Sequence, residues 1–563
     1  MTLHKWQGAR CKVRRVDGRV VSAVTLAILL LVGGALFAQP TVPPERDRLT
    51  PRQLESPTFE PLPHVPSGSR ALANVWSDLA GPGRAELLRG LLPTQAGVLW
   101  MALVVALMVA FDFRRPLSAR NVELLALLVV GFLLFDVMRF FEVLRDPTYF
   151  RVMDWVFTGI VAVSLFLLGR ALWRMRRPHR EAWQPNLPVR ALVVLTGLLL
   201  TCNLLIGLLR APDDAGFYSN LGAQRLRERG RFPYGDPLLT GTPGATYSPI
   251  FYLAHLPFQI MLDPQVVNPD APDRPDLAAE PYYLPPVLAT QLTTVSFHLF
   301  GVAALIVAAR KLAGSHVAWG LAALYCGSAY VMGVGGSREM IGGITFISHI
   351  AAPSVMLMAF AALARPLVAG ALVATGVATL FYPMFFIPAW LGYYWRDRAA
   401  AVRFVAGLAV ASLAIGVPVL LLSQAADGRS VIGTILHDTQ GHQQDPAAYG
   451  SSPFGFWGLR GGIRELLREP LVAGQFNTSP MFLIFAAFVG GAFFLARGSS
   501  PVQLALVTGA LAIGAQMWKI HGTGVYVTWY YPFLLLGFFG CSGVGATEAS
   551  GVRGRLHEHP ETI

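Results

Sequence analysis

The chain has 563 residues, 54% of them hydrophobic and 14% charged, and its mean hydropathy is +0.49. Soluble proteins carry about 25% charged residues, so the composition excludes an ordinary soluble enzyme and any disordered or fibrous class; an all-α, polytopic integral membrane protein is what remains. The formal charge of +12 is then topogenic first, and with no nucleic-acid motif beside it, nucleic acid is not an expected partner.

A membrane helix needs about 20 mostly apolar residues. Such runs lie near 20–38, 94–112, 121–141, 155–173, 191–209, 287–309, 316–334, 341–363, 401–423, 480–497, 501–520 and 525–545. Two shorter runs, 366–381 and 383–395, are split by Tyr382-Pro383 and read as a broken hairpin that enters and leaves on one side. The expected architecture is about 12–13 transmembrane helices. Arginines and lysines mark alternate loops: Lys5 to Arg19, Arg114 to Arg120, Arg174 to Arg190, Arg310-Lys311, and Arg396 to Arg403. These loops are expected in the cytoplasm, with the N-terminus and the tail 546–563. The expected location is a bacterial plasma membrane, and 20–38 reads as an uncleaved anchor because Ala35 to Gln39 makes a poor cleavage site. The four cysteines, Cys11, Cys202, Cys326 and Cys541, form no CxxC pair, so neither a disulfide framework nor a zinc site is expected.

Three long segments, 39–93, 210–286 and 424–478, then fall on the outer side. The first is a proline-rich linker. In the second, Asp214 is a good N-cap and Gly230 a good stop for a helix over 215–230, whose apolar residues suit the membrane surface. The run 250–262 is too short to span and reads as an interfacial or re-entrant helix. In the third, His437, Asp438, His442 and Asp445 match no closed metal site, and no metal or other cofactor is expected.

The order of motifs carries a resemblance. Asp214 and Tyr218, the Gly230 to Tyr234 stretch, Tyr247-Ser248-Pro249, Phe381-Tyr382-Pro383 with Arg396 and Arg398, and the aromatic cluster His521 to Pro532 resemble the polyprenol-phosphate-mannose-dependent glycosyltransferases of the GT-C superfamily, particularly glycosyltransferase family 87. The resemblance covers roughly 191–545, leaving 1–190 as an additional four-span module. Two positions depart from it: the usual Tyr-Pro-Pro reads Tyr247-Ser248-Pro249, and a basic residue often found before the hairpin Tyr-Pro is Phe381.

The resemblance implies transfer of a sugar, with mannose the first expectation, from a polyprenyl-phosphate donor to a lipid or glycan acceptor at the outer face. An acceptor hydroxyl needs a carboxylate base, and the leaving phosphate needs fixed positive or hydrogen-bonding partners. Asp214 is the first candidate base and Asp213 the second; a plain N-cap is the competing role of Asp214. Tyr218, Arg225, Tyr234, Tyr247, Arg338, Trp457, Lys519 and His521 are the candidate substrate-binding residues. For Arg225 the alternative is a stem lying along an interfacial helix. For the aromatics beside His521 it is an interfacial belt. Asp236, between Gly235 and Pro237, is expected to be a turn residue. Two rival functions remain, a transporter or flippase of lipid-linked saccharides and a non-catalytic envelope-assembly scaffold. Spans nearly free of charge speak against the transporter, since transporters concentrate ionisable groups at mid-membrane.

Overall fold

The computed structural model describes residues 92–142, 147–176, 183–210, 212, 214–236, 239, 243–262, 265–266, 283–284, 287–333, 343–441, 480–518 and 526–540. In chain order its helices are α1 (Gln95–Ala110), α2 (Ala119–Glu142), α3 (Pro147–Arg176), α4 (Val189–Leu209), α5 (Asp214–Arg229), α6 (Pro249–Met261), α7 (Val287–Cys326), α8 (Ala329–Met332), α9 (Ile347–Ala361), α10 (Pro366–Thr379), α11 (Ile387–Tyr394), α12 (Arg398–Leu422), α13 (Val431–Leu436), α14 (Pro480–Ala496), α15 (Pro501–Trp518) and α16 (Tyr531–Phe539). Besides them, Gln265–Val266 and Tyr283–Leu284 form a two-residue antiparallel ladder between α6 and α7, a small exception to an all-helical expectation.

Among the described residues three helices are long and apolar enough to cross a membrane: α4, α7 and α12. At 1.5 Å per residue, the 21 residues of α4 reach about 30 Å, the thickness of a bilayer core. The helix α7 is two limbs joined at Gly314, whose φ of +85° is the left-handed conformation that glycine adopts most easily. The sequence placed a connection between the runs 287–309 and 316–334, with Arg310 and Lys311 in it, and Gly314 turns the chain inside that connection. Lys311 Nζ there donates to the Ala361 carbonyl at 2.6 Å, and His316 Nε2 meets the Leu187 carbonyl at 2.8 Å.

The helix α12 shows what surrounds the bundle. Val402, Val405, Val410, Leu413, Val417, Leu420 and Leu421 are all exposed along it, an apolar face far larger than soluble proteins leave open. Its other face packs on α10. Gly370 and Gly407 sit at that crossing, and a Cβ on either would strike the opposing backbone at Phe404 or Leu367. Small residues let helices approach closely where burial from water does not drive them together. The break at Tyr382-Pro383 is present: α10 ends at Thr379, a tight turn covers Tyr382–Phe386, and α11 follows, but α10 packs on α12 and α11 on α14 and not on each other as the arms of the expected hairpin would.

The N-terminal helices are fastened to the rest by charge. Glu123 of α2 is fully buried; its Oε1 takes a bond from Arg170 Nε and its Oε2 one from Arg174 Nη2, both 2.6 Å. Arg174 Nη1 also donates to the Phe538 carbonyl at 2.8 Å, so α2 and α3 are bonded to α16, more than 360 positions away. Removing one member of a buried ion cluster strands the others and typically costs about 3–5 kcal/mol. Glu123→Ala is therefore expected to lower the Tm of purified protein more than Asp427→Ala, which breaks the exposed Arg429 pair; equal effects in a thermal-shift assay would remove this fastening.

Candidate functional site

The helices α5 and α6 lie together against α7 and α9. The helix α5 runs from Asp214 to Arg229 and Gly230, with φ +64°, stops it; the stop is where the sequence put it, while Asp214 is the first residue of the helix and not the cap before it. The contact face of α6 holds Phe251, Tyr252, His255 and Gln259, all buried. Gly222 of α5 is required there, because a Cβ would run into the Tyr252 ring and the Gly244 carbonyl. Gln259 Nε2 donates to both the carbonyl and the side-chain oxygen of Asn220, at 2.7 and 2.6 Å. The outward face of α6 shows Leu253, Ile260 and Met261 exposed. Thirteen residues make about 20 Å of helix, too short to span, and this apolar stripe suits an interfacial position.

At the C-terminal end of α5 the chain folds back on itself. Arg225 Nε pairs with Asp236 Oδ2 at 3.1 Å and Nη1 with Glu228 Oε2 at 3.2 Å. Asp236 is buried and also meets Arg229 Nη1 at 3.6 Å. Asp236 is thus the turn residue expected, and Arg225, expected to face a phosphate, is engaged by protein carboxylates. Tyr234 is buried and donates its hydroxyl hydrogen to the Tyr247 carbonyl at 2.8 Å. Tyr252 donates to the Gly244 carbonyl and accepts from the Tyr247 N–H. Two proposed substrate-binding tyrosines, Tyr234 and Tyr247, are therefore in contact, though 13 positions apart.

The end of α12 and the segment after it close on the segment after α5 at this end. The Phe232 N–H donates to the Leu422 carbonyl at 2.8 Å, and the Gln424 N–H approaches the Tyr234 carbonyl at 3.4 Å. Gly235, at φ +73°, lies so near the Gln424 carbonyl that a Cβ would sit 2.7 Å from it. Its N–H donates to Asp438 Oδ2 at 2.8 Å. Burial pushes the Asp438 carboxyl above its ordinary range, against the Gly235 hydrogen bond, which pulls it down. Burial likewise pushes the Tyr234 hydroxyl well up, and the Asp438 charge adds to it.

The other end of α5 meets the bundle. Ala215, Phe251, Ile347 and Ala351 form an apolar cluster, with Tyr247, Phe297 and Leu380 packed on it. Thr290 Oγ1 of α7 bonds the Gly216 carbonyl at 3.3 Å. Beyond Leu380, the hairpin turn and the start of the last helix are stacked face to face. The Tyr382 and Trp529 rings lie 4.1 Å apart at 7°, and Trp529 and Tyr526 lie 4.2 Å apart at 19°. Tyr526 then meets His349 edge-on at 5.2 Å, and Trp529 Nε1 donates to the Ser348 carbonyl at 2.9 Å.

The candidate residues thus divide. Asp214 stands at the first position of α5, near the apolar cluster, and Tyr218 packs one turn further along with Leu221, Leu239 and Ala245. Arg225 and Tyr234 belong to the other end; 11 residues of helix separate Asp214 from Arg225, about 16 Å. Tyr247 touches both ends. Asp213, Arg338, Trp457, Lys519 and His521 lie outside the described residues, as do His442 and Asp445. Among the described residues no group of three or more His, Cys, Asp or Glu side chains is placed to hold a metal ion. In the sequence Asp438 reads as one of several polar groups of a loop that match no closed metal site. Its signal for a different role was position: a carboxylate directly after a short apolar helix that Ser430 caps.

Comparison of the chain with protein-family models, with curated proteins and with solved structures returned no match.

A carboxyl raised above its unfolded value contributes stability below that value, about pH 4, and loses it as pH climbs through the folded one. Asp438→Asn keeps an acceptor for Gly235 and removes the charge. Its Tm is expected to match the parent in acid and exceed it at neutral pH, read from melts across pH 4 to 8. A neutral-pH Tm below the parent's would reverse the sign.

Proposed function

We propose that the chain is a polytopic membrane glycosyltransferase of GT-C type, which moves a sugar, mannose first, from a polyprenyl phosphate to a lipid or glycan acceptor at the outer face. The observation that supports this reading is convergence. The start of α5, the Tyr247 motif, the hairpin break at Leu380 to Pro383 and the aromatic opening of the last helix are separate in sequence. They meet around the cluster of Ala215, Phe251, Ile347 and Ala351 and its aromatic stack. These are the segments that carry the family resemblance.

In this reading Asp214 takes the proton of the acceptor hydroxyl as its oxygen bonds the anomeric carbon. The bond from that carbon to the phosphate oxygen breaks, and polyprenyl phosphate leaves with the electron pair. Apolar walls at the boundary suit a donor held by its lipid, and no nucleotide is involved. Arg225 braces the loop through Asp236, so its contribution is to position Tyr234 and Tyr247.

The decisive experiment gives purified protein a panel of radiolabelled polyprenyl-phosphate sugars and analyses products by mass. Asp214→Asn caps a helix about as well as Asp but cannot accept a proton. It is expected to fold and bind donor while losing at least about 10²-fold in turnover, the usual scale for a general base, with kcat falling more than KM rises. Asp213→Asn is expected to lose far less. Normal turnover in both variants defeats the assignment, and turnover of a nucleotide sugar by the protein alone defeats the donor class.

Orientation is checked separately. An impermeant thiol reagent is expected to label a cysteine placed at Ser430 in sealed cells and not one at Ala182. Labelling at Ala182 would put the proposed site on the wrong side.

A further inference from the structure

Where α12 ends, three helices meet. Val419 of α12 packs with Ala223 and Leu226 of α5, with Phe232 just after it, and with Tyr252 of α6; Ile415 and Leu256 lie against the same cluster. The last residues of α12, Leu420, Leu421 and Leu422, are exposed, Leu421 by 76%, and the chain then leads to the turn at Asp427-Gly428. On α6, Leu253, Pro257, Ile260 and Met261 are exposed. Positions i, i+4, i+7 and i+8 share one face of a helix, so these four make a single apolar stripe.

Exposed leucines up to the end of a helix long enough to span are stable in hydrocarbon, and the hydrocarbon gives way to headgroups where the span ends. Leu422 therefore marks a depth. The Phe232 N–H is bonded to the Leu422 carbonyl at 2.8 Å, which puts Arg231, the residue before it, at the level of lipid phosphates. Arg227 reaches the same boundary from α6. Its Nη1 donates to the Gln259 carbonyl at 2.5 Å, beside Ile260 and Met261. That carbonyl is one of the acceptors a helix leaves free at its C-terminus, and it occupies one of the five N–H groups of a guanidinium.

The charges at this end are not equivalent. Arg225 is held by Asp236 and Glu228, and Arg229 Nη1 lies 3.6 Å from Asp236. Arg429 is paired with Asp427, and Asp438 takes the Gly235 N–H. Among the described residues neither Arg227 nor Arg231 has a carboxylate within ion-pair distance. Two uncompensated positive charges at headgroup depth, beside an apolar stripe, match a molecule with a negative head and acyl tails. We propose that Arg227 and Arg231, with the stripe of α6 and the last leucines of α12, seat a bilayer phospholipid of net negative headgroup. Guanidinium forks suit its phosphate, and the tails lie along Leu253, Ile260 and Leu421. A zwitterionic lipid brings the same tails and phosphate together with a cation of its own, which the arginines repel. This rests on the chain lying in a membrane and uses none of the transferase chemistry.

The test places the full chain in phosphatidylcholine nanodiscs with a trace of photoactivatable lipid, its reactive group on the acyl chain next to the glycerol. The probe is phosphatidylglycerol or phosphatidylcholine, and crosslinked peptides are read by mass spectrometry. A basic residue at a membrane surface is worth about fivefold in affinity for anionic lipid, so two are worth about 25-fold. The phosphatidylglycerol probe is expected to label 253–261 and 420–422 at least about tenfold more than the phosphatidylcholine probe. The ratio is expected to fall at about 1 M salt, where screening acts within about 3 Å. Arg227→Gln combined with Arg231→Gln is expected to bring it near one, and the paired lysine variants to keep most of it. Equal labelling by the two probes overturns the proposal, and so does a glutamine variant that keeps the ratio. A ratio that salt leaves unchanged overturns it without any variant. Loss of the phosphatidylglycerol signal on adding an equal trace of polyprenyl phosphate gives the seat to that lipid and overturns it too. No labelling by either probe strikes the membrane reading along with the proposal.

Discussion

A bundle whose outer surface is apolar has to pair each polar group it keeps inside or move it to an end. The surface of α12 sets this condition, since a row of exposed valines and leucines is stable only against something as apolar as itself. Glu123 meets it with two guanidiniums, and Arg174 with a backbone carbonyl of α16. Buried ion pairs are rarely net stabilisers relative to apolar replacements. Their specificity is the better-attested benefit, and here the cluster fixes which face of α2 and α3 meets α16. The N-terminal helices α2 and α3 are thereby held against the last described helix.

The same condition organises the α5–α6 layer. Many of its polar groups are paired with one another: Arg225 with Asp236 and Glu228, Tyr234 with Tyr247, Gln259 with Asn220. A side chain that holds a loop is poorly placed to hold a ligand as well. The outer layer therefore separates in function along α5, with a braced end where two loops interlock through Gly235 and Asp438, and an end at Asp214 that faces the bundle and the hairpin break. Tyr247 joins them, its backbone taken by Tyr234 and Tyr252 and its ring packed with Phe251.

Much of this was legible locally. The limits of α5 followed from Asp214 and Gly230, those of α6 from its length and flanking prolines, and the hairpin break from Tyr382-Pro383, because caps and breakers act over a few residues. The partners were not legible. Arg225 reads as a cation available to a phosphate until the chain turns at Gly235 and brings Asp236 beneath it. Asp438 reads as one acid in a polar loop until α12 delivers it to the Gly235 N–H, 203 positions away. Glu123 reads as a lone acid near a helix start, and its arginines lie 47 and 51 positions on. Pairings over such separations leave no periodic trace in a single sequence.

Tyr382 shows why the break in the hairpin sits where it does. Ending a helix inside a packed bundle frees backbone groups that must find partners. Here Leu380 N–H still reaches Gly376 and Met384 N–H reaches Phe381, while Pro383 has no N–H to lose. The remaining demand is on the side chains. The flat face of Tyr382 is covered by Trp529 at 4.1 Å, and the Phe386 ring meets it edge-on at 5.5 Å. A leucine there would forfeit both ring contacts, where a phenylalanine would keep them. The aromatic residue before the proline is therefore held from two sides, by the turn that opens the last helix and by the turn it belongs to.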